Sequence, residues 1–286
     1  MDDAITRITL GALVADAYSL GAHWIYDDQQ LASLDVDWQT LNDPRAHWHP
    51  NRKAGQFTHY GDQLVLIYEY ALAQKHFHLG GYMKKWFFHM RCYDGYMDTA
   101  TNNTLDNMRA HNALPCGFGS EDLSVAGRIA PLLHLSSDEE TLLKNVDLFT
   151  RATHFTAVTR DCSRFCAQLL WRLWRGKRLD DAMAEILPTA SDWMCSVVET
   201  AKAHLELAPG DAIRAFGRDC NARKGMPGAM YLLLRYKDDY RTAMIENAKA
   251  GGDSASRAMV AGMLMVAAYG VRIVPEEWIN RLAYRI

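Results

Sequence analysis

The 286-residue sequence has no excess of positive charge, no long apolar run and no CxxC pair. Its 31 Lys and Arg against 34 Asp and Glu give a formal net charge of −3, so no nucleic-acid partner is expected. No stretch reaches the roughly 18 uninterrupted apolar residues of a membrane span, so no membrane partner is expected either. The six scattered cysteines indicate reduced, mostly buried thiols. With the acidic start MDDAITRITL, which is not typical of a signal peptide, they predict a cytoplasmic protein.

Motifs of several common enzyme classes are also missing. The chain has no Gly-rich phosphate loop, no GxSxG elbow, no HExxH and no zinc-type spacing. Alternating Val/Ile/Thr runs bounded by turn dipeptides are almost absent, so strands are not required. The sequence therefore gives no support for a dinucleotide-binding fold, an α/β-hydrolase or a zinc protease.

Helical periodicity dominates what is present. Residues 4–20 carry apolar side chains at three- and four-residue spacing, with Asp2 or Asp3 as a possible N-cap. The irregular segment 34–62 is long enough to predict a functional loop. Because no repeat or linker interrupts the pattern, we predict one all-α domain over 1–286. Further helices are predicted at 63–74, 80–91, 95–109, 122–135, 138–150, 157–175, 179–187, 189–207, 209–219, 226–236, 239–249, 256–269 and 275–284.

Three glycine-flanked helix entrances carry several polar residues each: 55-GQFTHYGDQLVL, 94-DGYMDTATNNTL and 251-GGDSASRAMV. A helix N-terminus has unpaired N–H groups and partial positive charge, so it accepts carboxylates, hydroxyls or phosphates. Plain capping is the alternative, with Asp62, Asp98 and either Asp253 or Ser254 each capping its own helix. Ordinary caps need only one polar side chain, so three such entrances favour a ligand site.

Other polar and aromatic residues are weaker candidates. His154 could be a base or a substrate contact, or a cap or core residue. Arg128 lies between apolar neighbours, so it must pair with a carboxylate or reach an anionic ligand. Four aromatic side chains could stack on a nucleobase or pack in the loop and core: Trp24, Tyr26, Trp48 and Tyr60.

Taken in order, these segments resemble the ADP-ribosylglycohydrolase family over nearly the whole chain. The resemblance implies an all-α orthogonal bundle in which two Asp/Thr helix entrances face each other and hold two magnesium ions beside ADP-ribose. It also implies hydrolysis of the bond between the ribose anomeric carbon and an amino-acid side chain. The matching segments are 11-GALVADAYSLGAH, 55-GQFTHYGDQLVL, 119-GSEDLSVAGRIAPLL, 153-TH, 227-PGAMYLLL and 251-GGDSASRAMVAGMLMVAAYGVRIVPEEW.

The metal-binding motifs depart from the family pattern. The two aspartates of the first motif fall on His59 and Tyr60. The last motif keeps Asp253, but its second aspartate is Ala255, and Arg257 lies beside it. The pattern resembles a divergent branch that includes the J1-type crystallins.

These departures bear on the cofactor. Hard divalent cations need several oxygen ligands, so the two-magnesium centre and any other cofactor are not expected. A single weakly held ion would be bound by Asp62, Asp253 and Ser254. Alternatively, Arg257 would take the place of the cation, paired with Asp253 or Asp62.

Two functions follow as hypotheses. The first is a metal-independent glycoside-type hydrolase of a small-molecule or ADP-ribosylated substrate, with Asp62 and Asp253 as base and stabiliser. Tyr60, His59 or His154 would donate the proton. The second is an inactive ligand-binding or structural protein on the same fold. Predicted substrate-binding residues are Trp24, Tyr26, Asp98, Thr101, Asn102, Ser120, Asp122, Arg128, Ser254, Ser256 and Arg257.

Overall fold

A computed structural model describes residues 3–286, and within that range the regular elements are helices and three isolated β-bridges. Asp2, one of the two predicted first caps, lies outside the described residues. No helix in this range is both long and apolar enough to cross a membrane. The α-helices are α1 (Asp3–Ser19), α2 (Asp28–Ala32), α3 (His59–Ala73), α4 (Leu79–Met90), α5 (Thr99–Arg109), α6 (Glu139–Thr153), α7 (Ala157–Trp174), α8 (Leu179–Ile186), α9 (Asp192–Ala203), α10 (Pro209–Phe216), α11 (Ala222–Tyr236), α12 (Tyr240–Lys249), α13 (Ser254–Tyr269) and α14 (Glu276–Asn280). Short 3₁₀ helices cover Leu123–Arg128, Ala130–Leu135, Leu187–Thr189 and Val271–Ile273.

The all-α prediction is confirmed, and the differences lie mostly at helix ends, where local caps decide. The α3 helix begins four residues earlier than predicted because the Thr58 hydroxyl accepts a hydrogen bond from the Tyr60 amide. The α5 helix begins later, because Asp98 caps it through the Thr101 amide. The predicted helix at 122–135 is two 3₁₀ helices instead.

Helices α1 and α13 form the centre of the molecule and run antiparallel. Their backbones touch at Gly11 and Gly262, where a Cβ on either glycine would lie 2.8 Å from the carbonyl oxygen of the other. Further along the same contact, the Ser19 hydroxyl at the end of α1 lies 3.5 Å from the Ser254 carbonyl oxygen at the start of α13. The C-terminus of α1 and the N-terminus of α13 therefore meet, which brings the first and last motifs together.

A glycine turn fixes the chain that enters α13. Gly251 and Gly252 have φ values of 75° and 69°. The Trp24 amide donates to the Gly252 carbonyl at 2.8 Å, and the Gly252 amide donates to the Ile25 carbonyl at 2.7 Å. This bridge sets the positions of Trp24 and Asp253, on opposite sides of the turn.

Candidate functional site

Two carboxyl groups and one phenol form a buried layer, called the floor here, beneath the site. The Tyr60 hydroxyl oxygen lies 3.0 Å from Asp253 Oδ2 and 3.1 Å from Asp122 Oδ2, and all three residues are buried. The segments 58–62 and 251–257 therefore converge, as the resemblance implied. A phenol has one proton and can donate to only one of two carboxylates. When Tyr60 is neutral, the other carboxyl must carry a proton that it donates to the phenol oxygen.

Burial decides which carboxyl holds that proton. Burial, with Asp253 and Asp98 nearby, raises the pKa of Asp122 to about 7. Burial also raises the pKa of Asp253, but the Ser256 amide, 3.0 Å away, and the Arg257 charge oppose the shift. Burial raises the pKa of Tyr60 well above its usual value, so its phenol stays neutral. Below about pH 7 the proton is therefore held on Asp122.

Asp98 provides an ionised carboxylate in the same region. It caps α5 by accepting from the Thr101 amide at 2.7 Å, and its Oδ2 lies 3.6 Å from His59 Nε2. Burial opposes its ionisation, but His59 and the cap lower the pKa of Asp98 well below its usual range. Asp98 is thus ionised while Asp122 is protonated. In many active sites such a difference between two carboxyls separates the base from the acid.

A cavity of about 310 Å³ opens above this floor and has an aromatic rim. The Tyr96 ring meets Trp24 at 4.8 Å and Trp48 at 5.4 Å between centroids, both edge to face. Tyr26 and Trp48 remain 43% and 40% exposed. Of the predicted binding residues, Trp24, Tyr26, Asp98, Ser120 and Asp122 line this cavity, together with Trp48, Tyr96 and Cys220.

Asp62 does not share this site. Its carboxylate accepts hydrogen bonds from Arg52, at 2.8 Å, and Tyr93, and it lines a separate cavity of about 360 Å³. The prediction that the Asp62 and Asp253 side chains act together is wrong. The reason is helical geometry, because residues two apart project about 200° apart around the axis, so Tyr60 faces the floor and Asp62 faces away.

Arg257 does not replace a cation between the carboxylates. Its Nε donates to Asn247 Oδ1 at 2.9 Å and its Nη2 to the Gly251 carbonyl at 2.7 Å. Its stem packs against α11, where a Cβ on Gly228 would lie 2.8 Å from Arg257 Cδ. The predicted pairing with Asp253 or Asp62 is therefore wrong. Arg257 instead holds the turn before α13 from beneath.

Arg128 also has a structural environment. Its Nη1 donates to Gln63 Oε1 at 2.7 Å, and Gln63 also accepts from the Trp86 indole and donates to the Thr101 hydroxyl. In the described part of the chain Arg128 forms hydrogen bonds to Gln63 and Ser124 and no ion pair with a carboxylate, so of its two predicted partners the carboxylate is wrong and an anionic ligand is untested. Arg128 and Thr101 stabilise the polar core beside the cavity.

The other predicted residues lie outside the cavity lining. His154 is buried with Nδ1 2.8 Å from the Thr153 hydroxyl, and burial lowers its pKa to about 3, so it is a neutral imidazole. Asn102 is exposed and donates to the Met97 carbonyl. Ser254 and Ser256 are fully buried in the first turn of α13.

Sequence reasoning missed three contributors. Tyr96 forms the aromatic rim with Trp24 and Trp48. Cys220 lines the cavity next to Asp122, and nothing in its surrounding residues distinguishes it from a core thiol. Asp16 accepts from both the amide and the hydroxyl of Thr58, at 2.8 and 2.6 Å, so it sets where α3 begins. Its place in the motif 11-GALVADAYSLGAH was the available signal.

Comparison with known proteins agrees with this arrangement. A family model described as ADP-ribosylglycohydrolase matches residues 1–286. The chain belongs to the ADP-ribosylglycohydrolase family. Crystallin J1A of Tripedalia cystophora is 25% identical over 300 residues, with 98% of this chain and 92% of the crystallin covered. Crystallin J1B of the same organism is 24% identical with the same coverage. A solved structure titled "ADP-ribosylglycohydrolase-related protein complex" has a TM-score of 0.79 at 19% identity, covering 98% and 92% of the two chains.

The two-magnesium centre that the family resemblance implies does not fit these residues. Within residues 3–286, metal-ligating side chains come together at Asp122, Cys220 and Asp253, whose ligand atoms lie within 4.8 Å of one another. Two hard cations need many more oxygens than two carboxylates supply, and a thiol whose pKa burial raises is a poor ligand for them. The Tyr60 hydroxyl also bonds to both carboxylates.

The pKa of Asp122 predicts a pH-dependent contribution to stability. Between pH 3.8 and about 7 the folded state keeps a proton that the unfolded carboxyl has lost, so this contribution is full below pH 3.8 and lost as the pH rises through 7. Asn cannot titrate, and its amide still donates to Tyr60. The free energy of unfolding of Asp122→Asn relative to wild type should therefore rise by about 1 kcal/mol or more from pH 5 to pH 8.

Urea unfolding at several pH values checks this expectation. Asp16, His49 and His154 also titrate abnormally, but they are present in both proteins, so the difference reports Asp122 together with the adjacent Asp253, whose charge depends on it. A difference that stays constant across this range would show that Asp122 is already ionised at pH 5.

Proposed function

We propose that the protein is a glycoside-type hydrolase that cleaves the bond at the anomeric carbon of a ribosyl group without a two-magnesium centre. The observation that carries this proposal is the pair Asp98 and Asp122, two carboxyls of one cavity held in opposite protonation states. Membership of the family supports a hydrolase in general, while the metal-free mechanism is inferred from the residues of this chain.

In the proposed mechanism Asp122 is the acid. Asp122 releases the proton that it otherwise donates to Tyr60, and that proton goes to the leaving oxygen or nitrogen as the bond to the anomeric carbon breaks and the electron pair stays with the leaving group. The ionised Asp98 stabilises the positive charge that develops on the ribose. Water then adds its oxygen to the anomeric carbon and gives a proton to Asp122, which returns to its starting state. In this cycle neither Asp62, predicted from sequence as a base or stabiliser, nor His59 or His154, predicted as possible proton donors, takes part.

The roles of Tyr60 and Asp253 follow from their burial. Neither lines the cavity, so neither contacts the substrate directly. Tyr60 holds the Asp122 carboxyl in place, and the buried Asp253 raises the pKa of Asp122. Both are positioning residues. The sequence predicted Tyr60, His59 or His154 as the proton donor; the proposal assigns that role to Asp122, the hydrogen-bond partner of Tyr60.

A second function, a catalytically inactive structural protein, is favoured by one observation. The two curated relatives are crystallins that match 98% of this chain. A structural role requires neither a protonated carboxyl nor an open cavity. A measurement of riboside hydrolysis therefore separates the two functions.

Hydrolysis without metal is the decisive test of the proposal. A panel of ribosides and ADP-ribosyl conjugates should include at least one that the protein cleaves, and excess EDTA should change that rate by less than about twofold. The expected result follows because no step uses a cation. Reducing-sugar release with and without EDTA or magnesium measures it.

The other outcomes are equally clear. Loss of activity in EDTA with recovery in magnesium would contradict the metal-free mechanism. No cleavage of any member of the panel would favour the structural role.

A further inference from the structure

The aromatic rim of the cavity forms an unusual enclosure for a sugar site. Trp24, Trp48 and Tyr96 meet at interplanar angles of 77° to 85°, so their faces point in different directions around the opening. Tyr26 extends the rim and is partly exposed. Large aromatic side chains left exposed around one cavity indicate a binding surface rather than core packing.

Among the described residues, no lysine or arginine side chain lies over these rings. Elsewhere in residues 3–286, guanidinium groups lie over aromatic rings, as Arg52 lies over Tyr93 and Arg175 over Trp171. Within the same described range, none of the rim rings has such a partner. Histidine rings already stack on Trp24, with His23 at 4.4 Å and His49 at 5.4 Å between centroids, and His47 packs against Trp48 at 4.3 Å. The electron-rich faces available to a positive charge from outside are therefore those of Tyr26 and Tyr96 and the exposed part of Trp48.

The charged residues of the cavity also favour a cationic ligand. Its lining contains Asp98 and Asp122 and, in the described chain, no lysine, arginine or histidine. The nearby Arg218 is already used, with Nη1 2.6 Å from Asp28 Oδ1 and Nη2 2.6 Å from the Tyr26 carbonyl. The lining also includes Thr99 and Ala100 at the N-terminus of α5, but the Asp98 carboxylate already caps that terminus. A phosphate in this cavity would therefore meet carboxyls and aromatic faces with no cationic side chain. An organic cation would be bound by the carboxylate and by the aromatic faces.

We propose that this cavity binds a small organic cation, such as a quaternary ammonium or alkylpyridinium group, held between the aromatic rim and Asp98. The volume of about 310 Å³ fits a group of that size. Combined with the proposed hydrolase function, on which this statement rests, the cation site predicts the substrate class. The substrate is a riboside whose leaving group carries a fixed positive charge. The binding itself requires no catalysis.

Isothermal titration with choline tests the proposal. The comparison ligand is 3,3-dimethylbutan-1-ol, which has the same shape without the charge, and the anionic comparison is inorganic pyrophosphate. Choline should bind at least tenfold more tightly than the neutral alcohol, and pyrophosphate should not bind at this cavity. Trp48→Leu and Asp98→Asn should each weaken choline binding at least fivefold, because one removes a rim ring and the other the carboxylate charge.

Both variants should fold, because Trp48 is partly exposed and Asn at position 98 can still cap α5. Trp193→Leu on α9, remote from the cavity lining, is the matched control and should change choline affinity less than twofold. Equal affinity for choline and the alcohol, tighter binding of pyrophosphate, or no choline binding would each overturn the proposal. Choline binding without riboside hydrolysis would leave the cation site standing while contradicting the hydrolase.

Discussion

Asp122→Asn should lower the turnover number of the riboside hydrolase by about a hundredfold or more, because general acid catalysis contributes roughly 10²–10⁴ in rate. The substitution is nearly isosteric, and Asn can still accept from the Ser124 amide and donate to Tyr60, the contacts that Asp122 makes in its protonated form. The KM should change little, because Asp122 transfers its proton during bond cleavage. Steady-state kinetics on the cleaved riboside give both quantities.

Asp62→Asn is the matched control for this prediction. It changes a half-buried carboxylate on α3 that hydrogen-bonds to Arg52 and Tyr93 and lines the other cavity. Its turnover number should stay within about threefold of wild type. If Asp62→Asn were the inactive variant and Asp122→Asn the active one, the assignment made from sequence would be right and the one made from geometry wrong.

The pH profile distinguishes an acid from a positioning group. Wild-type turnover should fall as the pH rises through about 7, where Asp122 loses the proton that it donates. Tyr60→Phe removes a hydrogen bond to Asp122 without removing the carboxyl, so it should move this pKa while leaving measurable activity. A profile that does not move in Tyr60→Phe would show that Tyr60 has no part in holding the proton.

The fold could be predicted from sequence because its signals are local. Apolar periodicity located α1 and α7 closely, and capping residues such as Asp98 and Asp253 mark the helix starts. The error at the start of α3 comes instead from a contact between residues far apart in sequence. Thr58, not Asp62, caps α3, because Asp16 from a distant segment holds Thr58 in place.

The site was less predictable because side-chain direction depends on register and on contacts distant in sequence. The resemblance brought Tyr60 and Asp253 together correctly, but a motif does not state which face of α3 each residue occupies. Cys220 and Tyr96 join the site only through tertiary packing. The protonation of Asp122 depends on its burial beside Asp253, 131 positions away in the sequence, which no local pattern encodes.

Gly252→Ala should destabilise the protein by about 3 kcal/mol or more and abolish the site. The residue has a φ of 69°, and a Cβ there would lie 2.2 Å from the Arg218 carbonyl oxygen, which accepts the Asp253 amide at 2.7 Å. Relief of that contact must move the backbone on either side of Asp253. Gly270→Ala is the control, because Gly270 has a φ of 82° but nothing within 4 Å of its Cβ position. It should show only the backbone cost of about 1–2 kcal/mol. Urea unfolding of the two variants measures the difference, and equal losses would mean that the close approach to Arg218 is not what requires glycine at 252.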